Sequence, residues 1–214
     1  MSIAIVDYGS GNLRSVEKAL QRVVDEANSV EKVFITRDAA LVAKADRIVL
    51  PGVGAFADCQ SGLFSLDGMV DALREAVQMR GQPFLGICVG MQLLANRGLE
   101  YGSTPGLSWI SGDVVRITPA DKSLKVPHMG WNQLVFKENS HPVLEGLPES
   151  AHVYFVHSFA LRCHISSDVI ASVNYGNNIT AVVGRDNVIG TQFHPEKSQM
   201  NGIKILSNFI KWTP

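Results

Sequence analysis

The pentapeptide Gly86-Ile87-Cys88-Val89-Gly90 constrains this chain more than any other stretch. The apolar residues 83–85 precede it, and a helical pattern over residues 91–95 follows it. This order predicts a strand, a sharp turn and a helix, with glycines flanking the cysteine because side chains there would collide with neighbouring elements. The turn pushes the Cys88 sulfur out at the top of a sheet. Free N–H groups at the helix start then favour its thiolate.

A second stretch, far along the chain, supplies partners for this thiol. His194-Pro195-Glu196 closely follows the apolar run Val188–Thr191. Because residues two apart face the same way in an extended backbone, His194 and Glu196 can lie side by side. The carboxylate can then accept from one imidazole nitrogen while the other nitrogen faces the thiol. We predict that Cys88, His194 and Glu196 form a nucleophile, base and orienting acid. The alternative is a buried structural cysteine between ordinary turn glycines.

Size and composition exclude several classes of protein. The chain has 214 residues, 46% of them hydrophobic, which predicts a single domain over residues 1–214. A net charge of -1 argues against nucleic-acid or anionic-membrane partners, and no apolar run approaches the roughly 18 residues that cross a bilayer. Three unclustered cysteines and no signal-peptide pattern predict a cytoplasmic protein, with Cys59 and Cys163 packed as small hydrophobes. The scattered histidines predict no metal site, and we expect no cofactor.

The first half of the chain alternates short apolar runs with helical periodicity. The pattern predicts strands at 3–6, 33–35, 47–50 and 83–85, and helices at 13–24 with Asn12 as the cap, at 38–45 and at 63–77. This alternation is typical of an α/β fold with a doubly wound, mostly parallel central sheet and flanking helices. The pair Gly9-x-Gly11 resembles part of a dinucleotide fingerprint, but Arg14 replaces its third glycine, so nucleotide binding is disfavoured.

The second half is predicted to be mostly strand. Polar residues 97–105 predict a surface loop, after which short extended runs occur at 109–110, 114–117, 132–136, 153–156, 169–173, 180–184 and 188–191. These runs predict additional antiparallel strands, closed by a helix at 203–210. Two polar stretches, 127–132 beside a predicted loop and 154–158 at a strand end, carry more hydrogen-bonding groups than strands require. Each is also consistent with core packing of satisfied polar side chains.

A glycine-rich loop, Pro51-Gly52-Val53-Gly54, follows the third predicted strand. Open parallel sheets place ligand-binding groups at this edge. We predict that N–H groups of Gly52 and Val53, together with the N–H of Val89, hold an oxyanion. A plain turn is the alternative.

Taken together, these motifs resemble a known family. Residues 86–92, Gly-Ile-Cys-Val-Gly-Met-Gln, with the 194–196 stretch, resemble the triad-bearing class I glutamine amidotransferases. Three further stretches, 7–12, 51–54 and 127–132, resemble the glutaminase subunits of imidazole glycerol phosphate synthases, and the match covers essentially the whole chain. The anthranilate and GMP branches commonly carry histidine at Met91 and lack the His-Met-Gly-Trp-Asn stretch. Val89 and Phe159 stand where relatives commonly have leucine and tyrosine, and neither changes the chemistry.

The resemblance implies an enzyme that hydrolyses glutamine to glutamate and ammonia. The ammonia would pass to a separate (βα)8-barrel cyclase, which makes imidazole glycerol phosphate in histidine biosynthesis, so a heterodimer is implied. The resemblance also implies that four residues contact the substrate: Gly54, Gln92, Ser158 and Phe159. We further hypothesise that the Val53 peptide is misoriented in the isolated subunit and is corrected by the partner, because flanking glycines make a peptide flip cheap.

Five residues are candidates for the partner interface: Asn12, Met129, Trp131, Asn132 and Lys197. Lys197 is equally consistent with a solvated surface charge. Two other functions stay open at this point. One is an ammonia-donating subunit of another synthase, such as anthranilate synthase, and the other is a non-catalytic nucleotide-binding subunit. A general cysteine hydrolase is disfavoured because the acid follows the histidine by two positions, unlike the α/β-hydrolase order.

Overall fold

The structure is a computed structural model that describes residues 1–137 and 141–214. Its strands are β1 (Ser2–Val6), β2 (Lys32–Thr36), β3 (Arg47–Gly52), β4 (Phe84–Cys88), β5 (Arg97–Gly98), β6 (Thr104–Pro105), β7 (Gly112–Arg116), β8 (His128–Phe136), β9 (His152–His157), β10 (Phe159–Cys163), β11 (Val169–Asn174), β12 (Asn178–Arg185) and β13 (Val188–Thr191). Its α-helices are α1 (Leu13–Glu26), α2 (Ala39–Lys44), α3 (Phe56–Phe64), α4 (Met69–Leu73), α5 (Val89–Gln92) and α6 (Gln199–Lys211). A π-helical segment, Arg74–Met79, continues α4, and 3₁₀ turns lie at Pro142–Leu144, Ser166–Asp168 and Pro195–Lys197.

Within the described residues, nine strands form the central sheet in the order β2-β1-β3-β4-β13-β12-β11-β8-β9. The strands from β2 to β13 in this order run parallel, and the rest pair antiparallel. The α/β prediction, with antiparallel strands added by the C-terminal half, is therefore confirmed. β13 returns to the parallel half, where Gly190 pairs with Gly86 of β4. This register brings the chain after β13 to the sheet edge that carries Cys88.

The core forms where the predicted apolar faces meet. Residues Ile3 to Val6 of β1 are fully buried, as expected for a strand covered on both faces. In α1 the buried residues Val16, Leu20 and Val23 recur at helical spacing, and this helix packs against α6. A smaller sheet in the order β10-β7-β5-β6 accompanies the central one among the described residues. No helix of residues 1–137 and 141–214 is long and apolar enough to cross a membrane.

The single helix predicted for 63–77 is wrong. The chain ends α3 at Phe64 and begins α4 at Met69, and Gly68 between them has a φ of +67°. That left-handed conformation cannot continue an α-helix, so the backbone turns there. The apolar spacing spans the break because both segments bury their faces against the same core, with Leu63, Met69 and Leu73 fully buried.

The structure also corrects the predictions for residues 97–110. The stretch 97–105 is not simply a loop, because β5 and β6 pair within it and β5 also pairs with β7. Two-residue strands carry no periodicity and cannot be seen in a sequence pattern. Residues 109–110 are not a strand. The N–H groups of Trp109 and Ile110 both donate to the Leu94 carbonyl at 2.9 Å, and the Trp109 ring packs edge-on against Phe84 at 5.2 Å.

Three local predictions differ from the structure in smaller ways. Asn12 precedes α1, but its side chain makes no cap hydrogen bond. The strand predicted at 132–136 begins earlier, at His128, directly after a loop, because residues 128–132 pair with β9. The strand β10 went unpredicted, since its sequence Phe-Ala-Leu-Arg-Cys lacks strict alternation of apolar and polar residues.

Candidate active site

Cys88 occupies a strained turn at the end of β4. Its φ of 56° and ψ of -111° lie outside the regions that L-residues favour, and α5 begins at the next residue. The flanking glycines are required for space, as predicted. A Cβ on Gly86 would lie 2.6 Å from the Gly90 carbonyl oxygen, and a Cβ on Gly90 would lie 1.8 Å from the Leu50 carbonyl oxygen. Close contact of β4, α5 and β3 thus holds the thiol in place.

Replacing Gly90 with alanine is expected to destabilise the fold by more than about 4 kcal/mol, because the new methyl group meets rigid backbone of β3. Gly81→Ala is the matched control. Gly81 has a φ of +71° but nothing within 4 Å of its Cβ position, so a loss of about 1 kcal/mol is expected. Urea unfolding followed by circular dichroism measures both. Equal losses in the two variants would contradict this account of the turn.

His194 and Glu196 lie beside the thiol, in the segment that follows β13. His194 Nδ1 is 2.8 Å from Glu196 Oε1, and the two side chains are only 2% and 1% exposed. His194 Nε2 makes no hydrogen bond with the described residues, although it is buried. The imidazole and Cys88 line the same cavity. The ring is therefore oriented from one nitrogen, and its other nitrogen is free for the chemistry of the cavity.

The environment of His194 favours its charged form. Burial alone would lower the pKa of His194, but interactions with Cys88 and Glu196 outweigh burial and raise the pKa to about 9. Both partners bear negative charge when ionised, and an adjacent negative charge stabilises an imidazolium. At neutral pH the site therefore favours an imidazolium beside the Cys88 sulfur. A positive charge there favours the thiolate, which is the nucleophilic form of a cysteine.

The glycine loop is held from outside the cavity by Ser10. The Val53 N–H donates to Ser10 Oγ at 3.2 Å, and Ser10 Oγ donates back to the Val53 carbonyl at 2.5 Å. The Cys59 thiol also donates to that carbonyl, at 3.3 Å. The Val53 N–H is thus engaged with Ser10 and does not serve an oxyanion in this conformation. Gly52 packs tightly, since a Cβ there would lie 2.8 Å from Gly90 N.

A cavity of about 310 Å³ opens above the thiol. Its lining includes Cys88 and His194, Val53 and Val89 of the predicted oxyanion group, and all four residues assigned to the substrate by family carry-over: Gly54, Gln92, Ser158 and Phe159. Glu100, Pro127, Val156 and His157 also line it, and sequence reasoning gave none of them a place in the site. The arrangement supports nucleophilic attack by the thiol on a small carbonyl compound. No cluster suited to a metal ion occurs in the described parts of the chain.

Comparison with known proteins decides the family. A family model described as "Glutamine amidotransferase class-I" matches residues 4–212. The chain belongs to the class I glutamine amidotransferase family. Two relatives cover this amidotransferase completely and are themselves completely covered: "Imidazole glycerol phosphate synthase subunit HisH" of Rhodospirillum rubrum, 55% identical over 214 residues, and the subunit of the same name of Rhodopseudomonas palustris, 57% identical over 217 residues.

Solved structures agree on the fold of the amidotransferase. A structure described as a glutamine amidotransferase matches with a TM-score of 0.71 and 20% identity, covering 97% of each chain. A glutamine amidotransferase from Thermotoga maritima matches with a TM-score of 0.61 and 16% identity, covering 92% of this chain and 76% of the other. At these identities the likeness establishes the fold alone.

The interface candidates of the amidotransferase fall into two places. Met129 and Trp131 project from β8 and are 62% and 46% exposed. The Trp131 ring packs edge-on against the Tyr154 ring at 6.0 Å, and Lys197 Nζ lies 5.9 Å from the centroid of the Tyr154 ring. These residues share one face, next to the triad segment, since the Tyr154 carbonyl accepts from the His194 N–H at 3.0 Å.

The other two candidates are placed differently. Asn132 lies on β8, but its side-chain amide is engaged within the chain, donating to the Asn174 carbonyl at 3.0 Å. Asn12 lies in the loop between β1 and α1. No hydrogen bond, ion pair or ring contact among the described residues joins the Asn12 side chain to the Trp131 face.

Proposed function

We propose that this chain hydrolyses glutamine to glutamate and ammonia at the cavity above Cys88. We also propose that it delivers the ammonia to a separate (βα)8-barrel cyclase, which makes imidazole glycerol phosphate in histidine biosynthesis. The observation that carries the first part is the placement of Cys88 and His194 on one cavity, with the buried Glu196 carboxylate 2.8 Å from the imidazole. The two relatives, both named as subunits of imidazole glycerol phosphate synthase, support the second part.

In the first half-reaction the Cys88 thiolate attacks the side-chain carbonyl carbon of glutamine. A carbon–sulfur bond forms, and the carbonyl electron pair moves to oxygen, giving a tetrahedral oxyanion. The imidazolium of His194 then donates its proton to the amide nitrogen, the carbon–nitrogen bond breaks, and ammonia leaves. Neutral His194 and a γ-glutamyl thioester on Cys88 remain.

In the second half-reaction neutral His194 takes a proton from water, whose oxygen attacks the thioester carbonyl. The carbon–sulfur bond breaks, glutamate leaves, and the thiolate and imidazolium are restored. Glu196 stays ionised throughout. It fixes the tautomer of the ring and stabilises the imidazolium, as an orienting carboxylate does in a catalytic triad.

The cavity carries polar groups that can bind the polar ends of glutamine. Glu100 Oε2 accepts from the Phe56 N–H at 2.8 Å, which fixes the carboxylate on the cavity wall. A fixed carboxylate there can pair with the substrate α-ammonium group. Ser158, between β9 and β10, and Phe159, the first residue of β10, line the cavity, and Gly54 lines it from the glycine loop.

We further propose that the barrel subunit docks on the face formed by Met129, Trp131, Tyr154 and Lys197, and that the reaction takes place in the cytoplasm. The test mixes the chain with a candidate barrel subunit and follows glutamate release. Glutamate release that rises with the barrel subunit, and co-purification with it in place of a chorismate-utilising enzyme, are expected. Absence of glutamate release with and without the barrel would contradict the proposed function.

Replacing Ser10 with alanine is expected to raise glutamate release by the isolated chain. The variant removes the acceptor that engages the Val53 N–H, so the peptide is freer to turn toward the oxyanion. One oxyanion donor is worth about two to three orders of magnitude in rate, so an increase of about tenfold or more follows from even partial recovery. Ser15→Ala, in α1, is the control variant and should leave the rate unchanged. Unchanged glutamate release in Ser10→Ala would show that the hydrogen bond to Ser10 does not keep the Val53 N–H from the oxyanion.

A further inference from the structure

We propose that His128, His157 and Gln192 are positioning residues in a hydrogen-bond relay that joins β8 to the Cys88 sulfur, with His157 and Gln92 both donating to the Phe159 carbonyl at its centre. The relay holds the carbonyl to which Gln92 donates, which leaves the Gln92 oxygen free to accept from the substrate, and it places a donor on the nucleophile. This inference rests on the proposed glutamine hydrolysis and adds residues that its mechanism does not use. All three side chains are buried, with His128 2%, His157 6% and Gln192 0% exposed.

The direction of the relay is set first at Asn132. Its Oδ1 accepts from the Gln133 N–H at 2.8 Å, and its Nδ2 donates to the Asn174 carbonyl at 3.0 Å. Since a backbone N–H only donates and a carbonyl only accepts, the orientation of this amide is unambiguous. Asn132 Nδ2 also lies 3.3 Å from His128 Nε2, and its second hydrogen faces that nitrogen. His128 Nε2 must therefore be the acceptor. His128 then carries its proton on Nδ1.

The two histidines transmit this direction across the strand pair. His128 and His157 are direct partners in the register of β8 and β9, and His128 Nδ1 donates to His157 Nε2 at 3.0 Å. His157 is then protonated on Nδ1, which donates to the Phe159 carbonyl at 2.9 Å. A carbonyl oxygen can only accept, so this end requires the same tautomers independently. Burial lowers the pKa of both His128 and His157 to about 4, which keeps them neutral.

The second half of the relay consists of two amide side chains. Gln92 Nε2 donates to the Phe159 carbonyl at 2.9 Å and to Gln192 Oε1 at 3.1 Å, so both of its hydrogens are used. Gln92 Oε1 remains as an acceptor for a donor group of the substrate at the cavity wall. Because Gln192 accepts through Oε1, its Nε2 is the donor that lies 3.8 Å from Cys88 Sγ.

Each end of this arrangement has a chemical consequence. A hydrogen bond donated to a thiolate favours the thiolate over the thiol, so Gln192 supports the nucleophile. An amide held with its oxygen toward the cavity accepts from an –NH group and rejects a carboxylate. Because Gln92 lines the cavity, the relay therefore leaves an acceptor there for a donor group of the substrate.

The tautomers of the wild-type chain give the first test, and it needs no variant. Nitrogen-15 spectra of the histidine-labelled full chain at pH 7 should show His128 and His157 neutral and protonated on Nδ1. Protonation on Nε2, or a cationic ring at either residue, would overturn the relay. This readout is independent of activity.

The second test compares variants by Cys88 alkylation and by glutamine kinetics with the barrel subunit present. Gln192→Met is expected to lower the rate of Cys88 alkylation by iodoacetamide at pH 7 about tenfold, as for a lost hydrogen bond to a charged group. His157→Leu is expected to raise the KM for glutamine about tenfold with a smaller change in kcat. His157→Asn, whose amide can still donate to the Phe159 carbonyl, should recover most of that KM.

Ser172→Ala is the matched control, a buried polar residue of β11 outside the relay. Circular dichroism melting shows which variants fold. Where a variant does not fold, the histidine tautomers of the wild-type chain test the relay instead. One outcome is that the wild-type enzyme turns over glutamine while the relay variants have the same alkylation rate and KM as Ser172→Ala. That result would overturn the relay but not the proposed function. A wild-type chain that releases no glutamate would instead contradict the proposed function, and the alkylation rates and tautomers would still judge the relay.

Discussion

Replacing Cys88 with alanine is expected to lower kcat for glutamine hydrolysis by a factor of about 10⁴ or more, since losing the nucleophile of a triad removes nearly all of its rate advantage. The fold should be unaffected. Alanine and cysteine both carry a Cβ, so the strain at φ 56° is unchanged, and position 88 is only 4% exposed. Glutamate release measures the loss, and thermal melting measures the stability.

Cys163→Ala is the matched control for this experiment. Cys163 is a half-buried free thiol that does not line the cavity, and burial raises its pKa to about 11, so it carries no reactive thiolate at neutral pH. Its replacement should leave kcat within about twofold of wild type. Substantial turnover by Cys88→Ala, or an equal loss in both variants, would contradict the assignment of the nucleophile.

Replacing Glu196 with glutamine is expected to lower kcat about 10³- to 10⁴-fold, because an amide cannot stabilise the imidazolium and can hold the wrong tautomer. Glu196 is buried against His194 at 2.8 Å, so its charge acts on the ring with little screening by water. The control for the general effect of the substitution is Glu149→Gln, a change at an exposed glutamate that does not line the cavity, and thermal melting compares the two variants.

The pH profile of Glu196→Gln gives a second, independent readout. Burial opposes protonation of His194, but Cys88 and Glu196 raise its pKa to about 9, so the wild-type imidazolium persists until the pH rises through about 9. Losing the carboxylate removes one of the two favourable interactions and lowers that pKa. The alkaline limb of kcat/KM for residual activity should therefore move to lower pH. If the alkaline limb of kcat/KM lies at the same pH in Glu196→Gln as in the wild type, the carboxylate does not act on His194.

The sequence predicts best those parts of the site whose pattern is carried by residues that are neighbours in the sequence. The glycines flanking Cys88 indicate a sharp turn, and the two-residue spacing of His194 and Glu196 corresponds to a 2.8 Å contact in the structure. The alternation of strand and helix likewise predicts the parallel half of the sheet. Each signal is carried by neighbouring residues. The Gly90 contact nevertheless reaches Leu50 of β3, and a 3₁₀ turn at Pro195–Lys197 replaces the extended backbone predicted around Glu196.

The parts that the sequence did not reveal depend on pairing between distant segments. His128 and His157 meet only because β8 and β9 pair, and Ser10 reaches Val53 across 43 positions. Gln192 offered a usable signal, since it precedes His194 by the same two-residue spacing. The break at Gly68 was hidden because apolar spacing continues across it, although the left-handed φ there ends the helix.

The central claim is that Cys88 becomes acylated by glutamine during turnover. The direct measurement is an acid quench of the wild-type chain, with the barrel subunit and saturating glutamine, followed by mass spectrometry of the peptide that contains Cys88. The account predicts a γ-glutamyl group on the sulfur of Cys88, absent from Cys59 and Cys163. Steady release of glutamate without any such adduct on Cys88 would contradict it.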